Sequence, residues 1–429
     1  MANRIDFIGR DLGTPFDPDN AIEVRDWNDW TIPPTSGQLD IDLRARTPNS
    51  RAVRMLDPNL VPALGPASEP DPEDPLGPPL LKLPTPDRTT ANRFFDRRGL
   101  HDAVDLPLNV PGLGPVNIWS FRDNATGGST WPARSIRCVE GEVVHSRMAN
   151  RRGPHTIHHH GIEPTPMNDG VGHLTMDIGD GLVYDYQWLA GESGTYFYHC
   201  HVNTVLHFEM GMYGMLIIDP PGGPPSNDGG PGRIYVGNSI QNYDVEAIWV
   251  PDDLDRRWHA TGLPNYQRAA GIVVGEFVPI NDAENPRLHD FNPDVFVVSG
   301  VPAPFGQDRS LLSGAGANTN FGQKLLVRAL NASYCTTRWR FPTSLQGTVV
   351  SVDGRSLGRE PFGRYSSPFS LASVNHQFQL TTAQRWDILI ETGTASFLGQ
   401  HIVEIDYFHW YTNTRLFTVR LPIQVTSAG

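Results

Sequence analysis

Apolar residues in this chain come in short runs, not in the three- and four-residue spacing of an amphipathic helix. From Val116 onward, "VNIWSF", "SIRCVEGEVVHSRMAN", "LVYDYQWLA", "GTYFYHCHV" and "YGMLIID" are rich in Val, Ile and aromatic residues and are separated by Gly, Pro, Asn and Asp. Such segments fit pleated, half-buried strands and predict a β-sandwich of roughly a hundred residues. The stretch "PPGGPPSNDGGPG" (Pro220 to Gly232) reads as a linker. Beyond it "IYVGN", "VFVVSG", "KLLVRALNAS", "TVVSVDG", "WDILIET", "QHIVEIDYF" and "TRLFTVRLPIQV" predict a second sandwich ending near Val425. Before Val116 no periodicity is sustained, and "PNLVPALGPASEPDPEDPLGPPLLKLPTP" has too much proline for helix or interior strand. That region reads as an extended arm, with Phe94, Phe95 and Leu100 docking its end on the body; plain disorder of residues 1–90 is the other reading. The expected organisation is a proline-rich arm over 1–110, a first domain over 111–220, a linker over 221–232 and a second domain over 233–429. The fold class is all-β.

Composition agrees and narrows the chemistry. At 429 residues the chain is too long for one ordinary core, and 42 Gly with 38 Pro suit many turns. A formal charge of −13, with no local basic patch, argues against nucleic acid and anionic membrane surfaces as partners. No stretch approaches the roughly 18 apolar residues of a membrane span. The start, "MANRIDFIGRDLG", lacks the apolar core of a secretion signal, so the compartment stays open, a periplasmic or secreted location requiring that a signal was removed. Cys138, Cys200 and Cys335 are too few for a disulfide framework. Asn124-Ala-Thr and Asn331-Ala-Ser match the glycosylation pattern, one that arises often by chance.

The concentrated chemistry lies in "HTIHHHGIEPTPMNDG" (His155 to Gly170) and "GTYFYHCHVNTVLHFEMGMYG" (Gly194 to Gly214), which hold seven of fifteen histidines. Side chains alternate across a strand, so residues of equal parity share a face. His199 and His201 point one way and Cys200 the other; His158 and His160 share a face and His155 has the opposite parity. If the two segments are neighbours, Cys200 and His155 meet on one side and His158, His160, His199 and His201 on the other. That makes two metal sites sharing one strand. Thiolate, two imidazoles and a weak thioether favour copper in a trigonal electron-transfer geometry, and Cys200, His155, His207 and Met212 supply them, with Met210 the competing thioether. Four imidazoles with open positions suit copper that binds oxygen species; structural zinc is the rival, but zinc has no use for a thiolate one peptide away.

These two segments resemble the paired H-x-x-H-x-H-G and H-C-H-x-x-x-H-x-x-x-x-M motifs of multicopper oxidases, the laccase-like cupredoxin family; the second loop here is two residues longer. The resemblance covers about residues 116 to 219 and implies two cupredoxin-like Greek-key domains. By it, His155, Cys200, His207 and Met212 would hold type 1 copper, His158 a type 2 copper, and His160, His199 and His201 the type 3 pair. Asp169, in "MNDGVG", stands where the family often carries an acid serving oxygen reduction, although Asp-Gly also simply makes turns. His159 takes a variable position and reads as structural, as do His173 and Met176; Glu209 reads as a surface or supporting residue. Residues 320 to 427 resemble a laccase's copper-free middle domain more weakly. The family's trinuclear centre takes eight histidines as four H-x-H pairs, whereas this chain has two. In two-domain members the cluster lies between subunits, so another copy or a different chain could complete it.

The resemblance therefore implies a copper-dependent oxidase: a small-molecule or metal-ion reductant gives single electrons at type 1 copper, and dioxygen is reduced at the histidine cluster. Two alternatives stand beside it. One is a copper nitrite reductase-like enzyme, for which His158 and His201 would be surplus; the other is an electron-transfer or copper-binding subunit of a larger assembly, which the missing H-x-H pairs support.

Overall fold

The structure is a computed structural model. It describes residues 91–427 apart from 101–105, 126–127, 151–154, 163, 165–167, 172–177, 180, 203, 223–228, 260–290, 361–362 and 394–396, together with short strands at Ser68–Glu69 and Leu80–Lys82. His173 and Met176, and most of the proline-rich segment, lie outside the described residues.

The first sandwich is built from β1 (Arg93–Leu100), β2 (Ser120–Asp123), β3 (Ala133–Val139), β4 (Val143–Ala149), β5 (His158–His160), β6 (Leu182–Leu189), β7 (Gly194–His199), the short helix α1 (Thr204–Glu209) and β8 (Tyr213–Asp219). One sheet contains β6, β4, β1 and β2 in that order, extended at its two ends by short strands; the other runs β5, β7, β8, β3. Strands β7 and β8 are buried at every position, which explains why "GTYFYH" and "YGMLIID" read as continuous apolar and aromatic runs. Residues 93–100, read from sequence as the docked end of the arm, form an interior strand. β1 runs parallel to β4 and antiparallel to β2, so the arm's end completes the sheet instead of lying on it.

The second sandwich comprises β9 (Val245–Trp249), β10 (Lys324–Leu330), β11 (Thr336–Arg340), β12 (Gly347–Val352), β13 (Gln377–Leu380), β14 (Arg385–Glu391), β15 (Gly399–Phe408) and β16 (Arg415–Thr426). Strands β9, β10, β14 and β12 make one sheet and β16, β15, β11 and β13 the other. In β11 the sequence Thr-Thr-Arg-Trp-Arg alternates partly exposed and buried, Trp339 entering the core against Trp249 and Phe378. The segment read as a linker already becomes strand at Gly232, pairing over Gly232–Val236 with Ser239–Tyr243. Asn331 is fully buried and its amide donates to the carbonyls of Cys335 and Leu380, so that sequon is part of the core and not a glycan acceptor.

The two sandwiches meet face to face. Phe197, Phe208, Tyr213 and Met215 pack with Val250, Leu330 and Ala332. At Gly194 the backbones approach so closely that a Cβ would lie 2.4 Å from the carbonyl oxygen of Gly354, hence glycine. Around this contact the charges are buried. Arg328 of β10 lies 2.6 Å from Glu246 and 3.6 Å from both Asp219 and Asp387, and donates to Thr195 at 2.9 Å. Arg137 of β3 bonds Asp219 and Glu246 at 2.7 Å each. Burial pushes the Glu246 carboxyl up, but Arg328 and then Arg137 outweigh it and bring its pKa from 4.5 down to about 2.

Removing one partner of such a network strands the others without water. Arg328→Ala is expected to lose about 3–5 kcal/mol of stability in denaturant unfolding. Because the folded pKa of Glu246 is depressed, its contribution is complete above pH 4.5 and disappears as pH falls through about 2. Unfolding curves collected across that window should lose stability more steeply in the native sequence than in the variant, and equal slopes would contradict the assignment.

Candidate metal centre

Strand β7 carries the site between two neighbours. It pairs antiparallel with β5, placing His158 opposite His199, His159 opposite Tyr198 and His160 opposite Phe197. On its other side His199 stands opposite Tyr213 of β8. Facing residues in adjacent strands share a side of the sheet, so parity separates the ligands as the sequence implies.

On one side lie Cys200, His155 and His207, all buried, with donor atoms within 4.8 Å of one another. Cys200 Sγ is 3.1 Å from His207 Nδ1 and 3.5 Å from His155 Nδ1. Each imidazole has a local reason for its position. His155 is bridged through its backbone to Ile178, in both directions at 3.0 and 3.1 Å. Its ring passes Gly99 of β1, where a Cβ would lie 2.5 Å from Cδ2. His207 sits on α1 with Trp119 edge-on to its ring, centroids 5.5 Å apart. The amide of Met212 donates to the His207 carbonyl, and the Cys200 amide donates to the Met212 carbonyl at 3.0 Å. Met212 thus continues the β7–β8 register directly opposite Cys200, with its side chain on the thiol side. Met210 is also buried, but its carbonyl accepts from the Trp119 amide one turn earlier in the chain.

On the other side His158, His160 and His199 bring their donor atoms within 4.8 Å, and His160 Nδ1 lies 3.3 Å from His199 Nε2. His201 stands next to this group, its ring centroid 5.2 Å from that of His158 and 5.8 Å from that of His199, outside the tightest set. His199 Nδ1 is 2.9 Å from the Cys200 carbonyl, which fixes its proton there and turns Nε2 to the cluster. His158 Nδ1 does the same with the Asp169 carbonyl at 2.7 Å, and the Asp169 carboxylate lies 3.6 Å from that nitrogen. Burial, then the nearby Arg385 and His158, lowers the His160 pKa to about 3; burial with His158 and His160 holds His199 well below 6.5. Both rings are neutral at pH 7, the form a metal needs.

His159 points to the opposite side, fully buried between Tyr186 and Trp188, as its structural reading expects. Cys138 and Cys335 are buried, and burial pushes both thiols up, so neither is a reactive thiolate. Among the described residues, the second domain completes neither group. His401 is engaged at both nitrogens, with Ser344 and the Phe397 carbonyl, and His409 caps an exposed turn by accepting from Tyr411 and Thr412. Of the two readings of Glu209, surface or supporting, the structure excludes the first: it is 2% exposed and touches His259 and Asp255 of the second domain. Neither Glu209–His259 nor the guanidinium of Arg385 beside His160 had a sequence signal, because the partners are far apart in the chain.

The donor chemistry decides the metal. Among the described residues the first group has one thiol and two imidazoles without a fourth Cys, His, Asp or Glu donor in the set, and the facing residue is a thioether. Structural zinc takes four strong ligands; a trigonal set of two imidazole nitrogens and one thiolate, with a weak thioether beside it, suits copper. Fold and site together define a cupredoxin-type copper protein. Comparison with known proteins agrees. Residues 122–223 match the model of the multicopper oxidase family, a copper-binding family. It is 28% identical over 317 residues to copper resistance protein A of Pseudomonas syringae pv. tomato, an alignment covering 67% of this chain and 46% of that protein. With multicopper oxidase MmcO of Mycobacterium tuberculosis the identity is 27%, over 53% of this chain and 42% of the relative. The chain therefore spans less than half the length of these relatives. In fold it is similar to the blue copper oxidase of Nitrosomonas europaea, with a TM-score of 0.51 and 19% identity over 78% of this chain and 86% of that one.

Two expected outcomes test the ligand set. Copper-reconstituted protein should be intensely blue and Cys200→Ser colourless, since the band needs a copper–thiolate bond; a blue Cys200→Ser protein would rule the thiolate out. Met212→Leu should keep the copper and raise its reduction potential, because a donor that stabilises the oxidised ion is lost, whereas Met210→Leu should leave the potential unchanged. Redox titration showing the reverse would assign the thioether to Met210.

Proposed function

We propose that this chain is a multicopper oxidase: a reductant is oxidised one electron at a time at a type 1 site of His155, Cys200, His207 and Met212, and dioxygen is the acceptor at the cluster of His158, His160, His199 and His201. The observation that carries this reading is the end of strand β7, where His199 and the two residues that continue it, Cys200 and His201, turn a thiol to one group and the flanking imidazoles to the other. Copper, when bound, supplies the one-electron steps and the affinity for oxygen. The chain's own residues supply the rest. From Cys200 to His199 the connection is a single peptide, doubled by the 2.9 Å contact between His199 Nδ1 and the Cys200 carbonyl, so two short routes join the sites. Phe197 stacked on His160 and Phe208 edge-on to His199 form aromatic walls on the two rings, of which His199 is buried and His160 partly so. Asp169 is the acidic group we assign to oxygen reduction. Its carboxylate, half-buried beside His158 Nδ1, holds the ring and can pass a proton at the cluster's edge.

Four histidines are half of the family's trinuclear set, and the described part of the second domain adds none. We therefore assign the remaining ligands to another polypeptide, in the first instance a second copy of this chain, with the domain faces carrying β5 and β7 meeting each other. The reductant is a small molecule or a metal ion. The nitrite reductase-like alternative gains no support from the site, since its mononuclear centre would leave His158 and His201 unused.

Copper counting together with mass measurement in solution tests the arrangement. An oligomer with more copper than its type 1 sites require should consume oxygen, and a monomeric interface variant should stay blue while oxidase turnover is lost. A strictly monomeric chain that turns over oxygen with a complete cluster refutes the shared site. An oligomer holding only type 1 copper would point instead to an electron-transfer subunit.

A further inference from the structure

The loop that carries His207 and Met212 is fastened to the second domain at closely spaced points. At its start, the Tyr334 hydroxyl donates to the Val205 carbonyl at 2.7 Å. At the end of α1, Glu209 Oε1 accepts from the Asp255 amide at 2.8 Å and lies 3.2 Å from His259 Nε2. One strand later, the Tyr213 hydroxyl donates to Asp252 at 2.6 Å. These contacts bracket both ligands, so the copper-free domain holds the type 1 loop from either side. The Glu209 contact is the most enclosed, both side chains being 1% exposed. It also reaches back into the first domain: His259 Nδ1 lies 2.6 Å from the Asn117 carbonyl, and Asn117 in turn donates to the His259 carbonyl at 3.1 Å. Two residues on, Trp119 packs edge-on to His207 and donates its amide to Met210 at 2.6 Å.

We infer that Glu209 and His259 are positioning residues for the type 1 site: through α1 on one side and the Asn117–Trp119 segment on the other, this interdomain pair sets where His207 stands relative to Cys200. The inference rests on the type 1 reading above and adds to it a function for the second domain, which is to tune the copper it does not bind. Short contacts to a ligand-bearing helix matter because a thiolate–imidazole copper site reads its geometry directly into spectrum and potential. Both contacts of Glu209 fall on the single oxygen Oε1, so a glutamine at 209 keeps the length and volume of the side chain but only one of the two contacts.

The test uses the full chain reconstituted with copper, as Glu209→Ala, Glu209→Gln, His259→Ala and Tyr334→Phe. The measurements are the blue band, the copper hyperfine splitting, the reduction potential, the copper affinity and the melting temperature of the copper-free protein. Glu209→Ala and His259→Ala should shift band and hyperfine splitting together and weaken copper binding about 10–100-fold, while Glu209→Gln shifts them in the same direction and less. If Glu209→Ala lowers only the melting temperature, with spectrum and potential native, the pair is merely structural and the inference is wrong. Should the alanine variants not fold, Tyr334→Phe removes a single hydroxyl and is expected to move the spectrum in a smaller measure; a native spectrum there overturns the inference equally. A native chain that takes up copper without any blue band sinks the type 1 reading itself, and this inference with it.

Discussion

Everything at the metal centre depends on the register of one strand end. His199 is paired with His158 on one side and with Tyr213 on the other, and that double pairing fixes which face each following side chain takes. A slip of one residue would turn Cys200 toward the imidazole cluster and the histidines toward Met212, abolishing both sites at once. The register is secured by burial: β7 has no exposed position, and its aromatic residues are shared between the first domain's core and the interdomain contact. Cys200 can thus lie next in sequence to two residues of a different site, because a pleated strand separates neighbours in sequence more sharply than it separates neighbours in space.

The second domain supplies contacts on both sides of the first domain's ligand loop. Its apolar core is separate, built around Trp249, Trp339 and Phe378, and its side facing the first domain sets polar and charged groups around an apolar patch of Val250, Leu330 and Ala332. Arg328 and Glu246 meet Asp219 and Arg137 at one end of the contact, and Tyr334, Asp252 and Asp255 meet the type 1 loop at the other. Buried polar contacts of this kind are directional, unlike apolar packing, and hold one relative orientation of the sandwiches.

Much of this was legible in the sequence. The all-β class, the two sandwiches and the parity that divides the histidines all follow from local patterns with a period of two. The same parity puts Cys200 with His155 and His158 with His199 without any knowledge of distant contacts. Interior β1 was not legible: "RFFDRRGL" has too many charges for a buried strand by pattern alone. Arg97 and Arg98 are nonetheless enclosed, with Arg97 compensated by Asp123 and the Tyr198 hydroxyl. The choice between a surface and a supporting place for Glu209 stayed open for the same reason. Its burial depends on Asp255 and His259, about fifty residues away, and a charged letter in a loop says nothing about such partners. The sequon at Asn331 is a chance match, and nothing in its letters signals that its amide ties two core carbonyls.

The arrangement of Arg328 bears on how the molecule is made. Asp219 is the last residue of the first sandwich, and the guanidinium that helps neutralise it lies about a hundred residues further along the chain. During synthesis the first sandwich emerges with Asp219 already paired to Arg137 of its own β3, but before Arg328, Asp255 and Tyr334 exist to meet it. The contacts that tie the His207 loop to the second domain therefore form last, and the candidate ligand set gains its interdomain anchors only once Tyr334 has emerged.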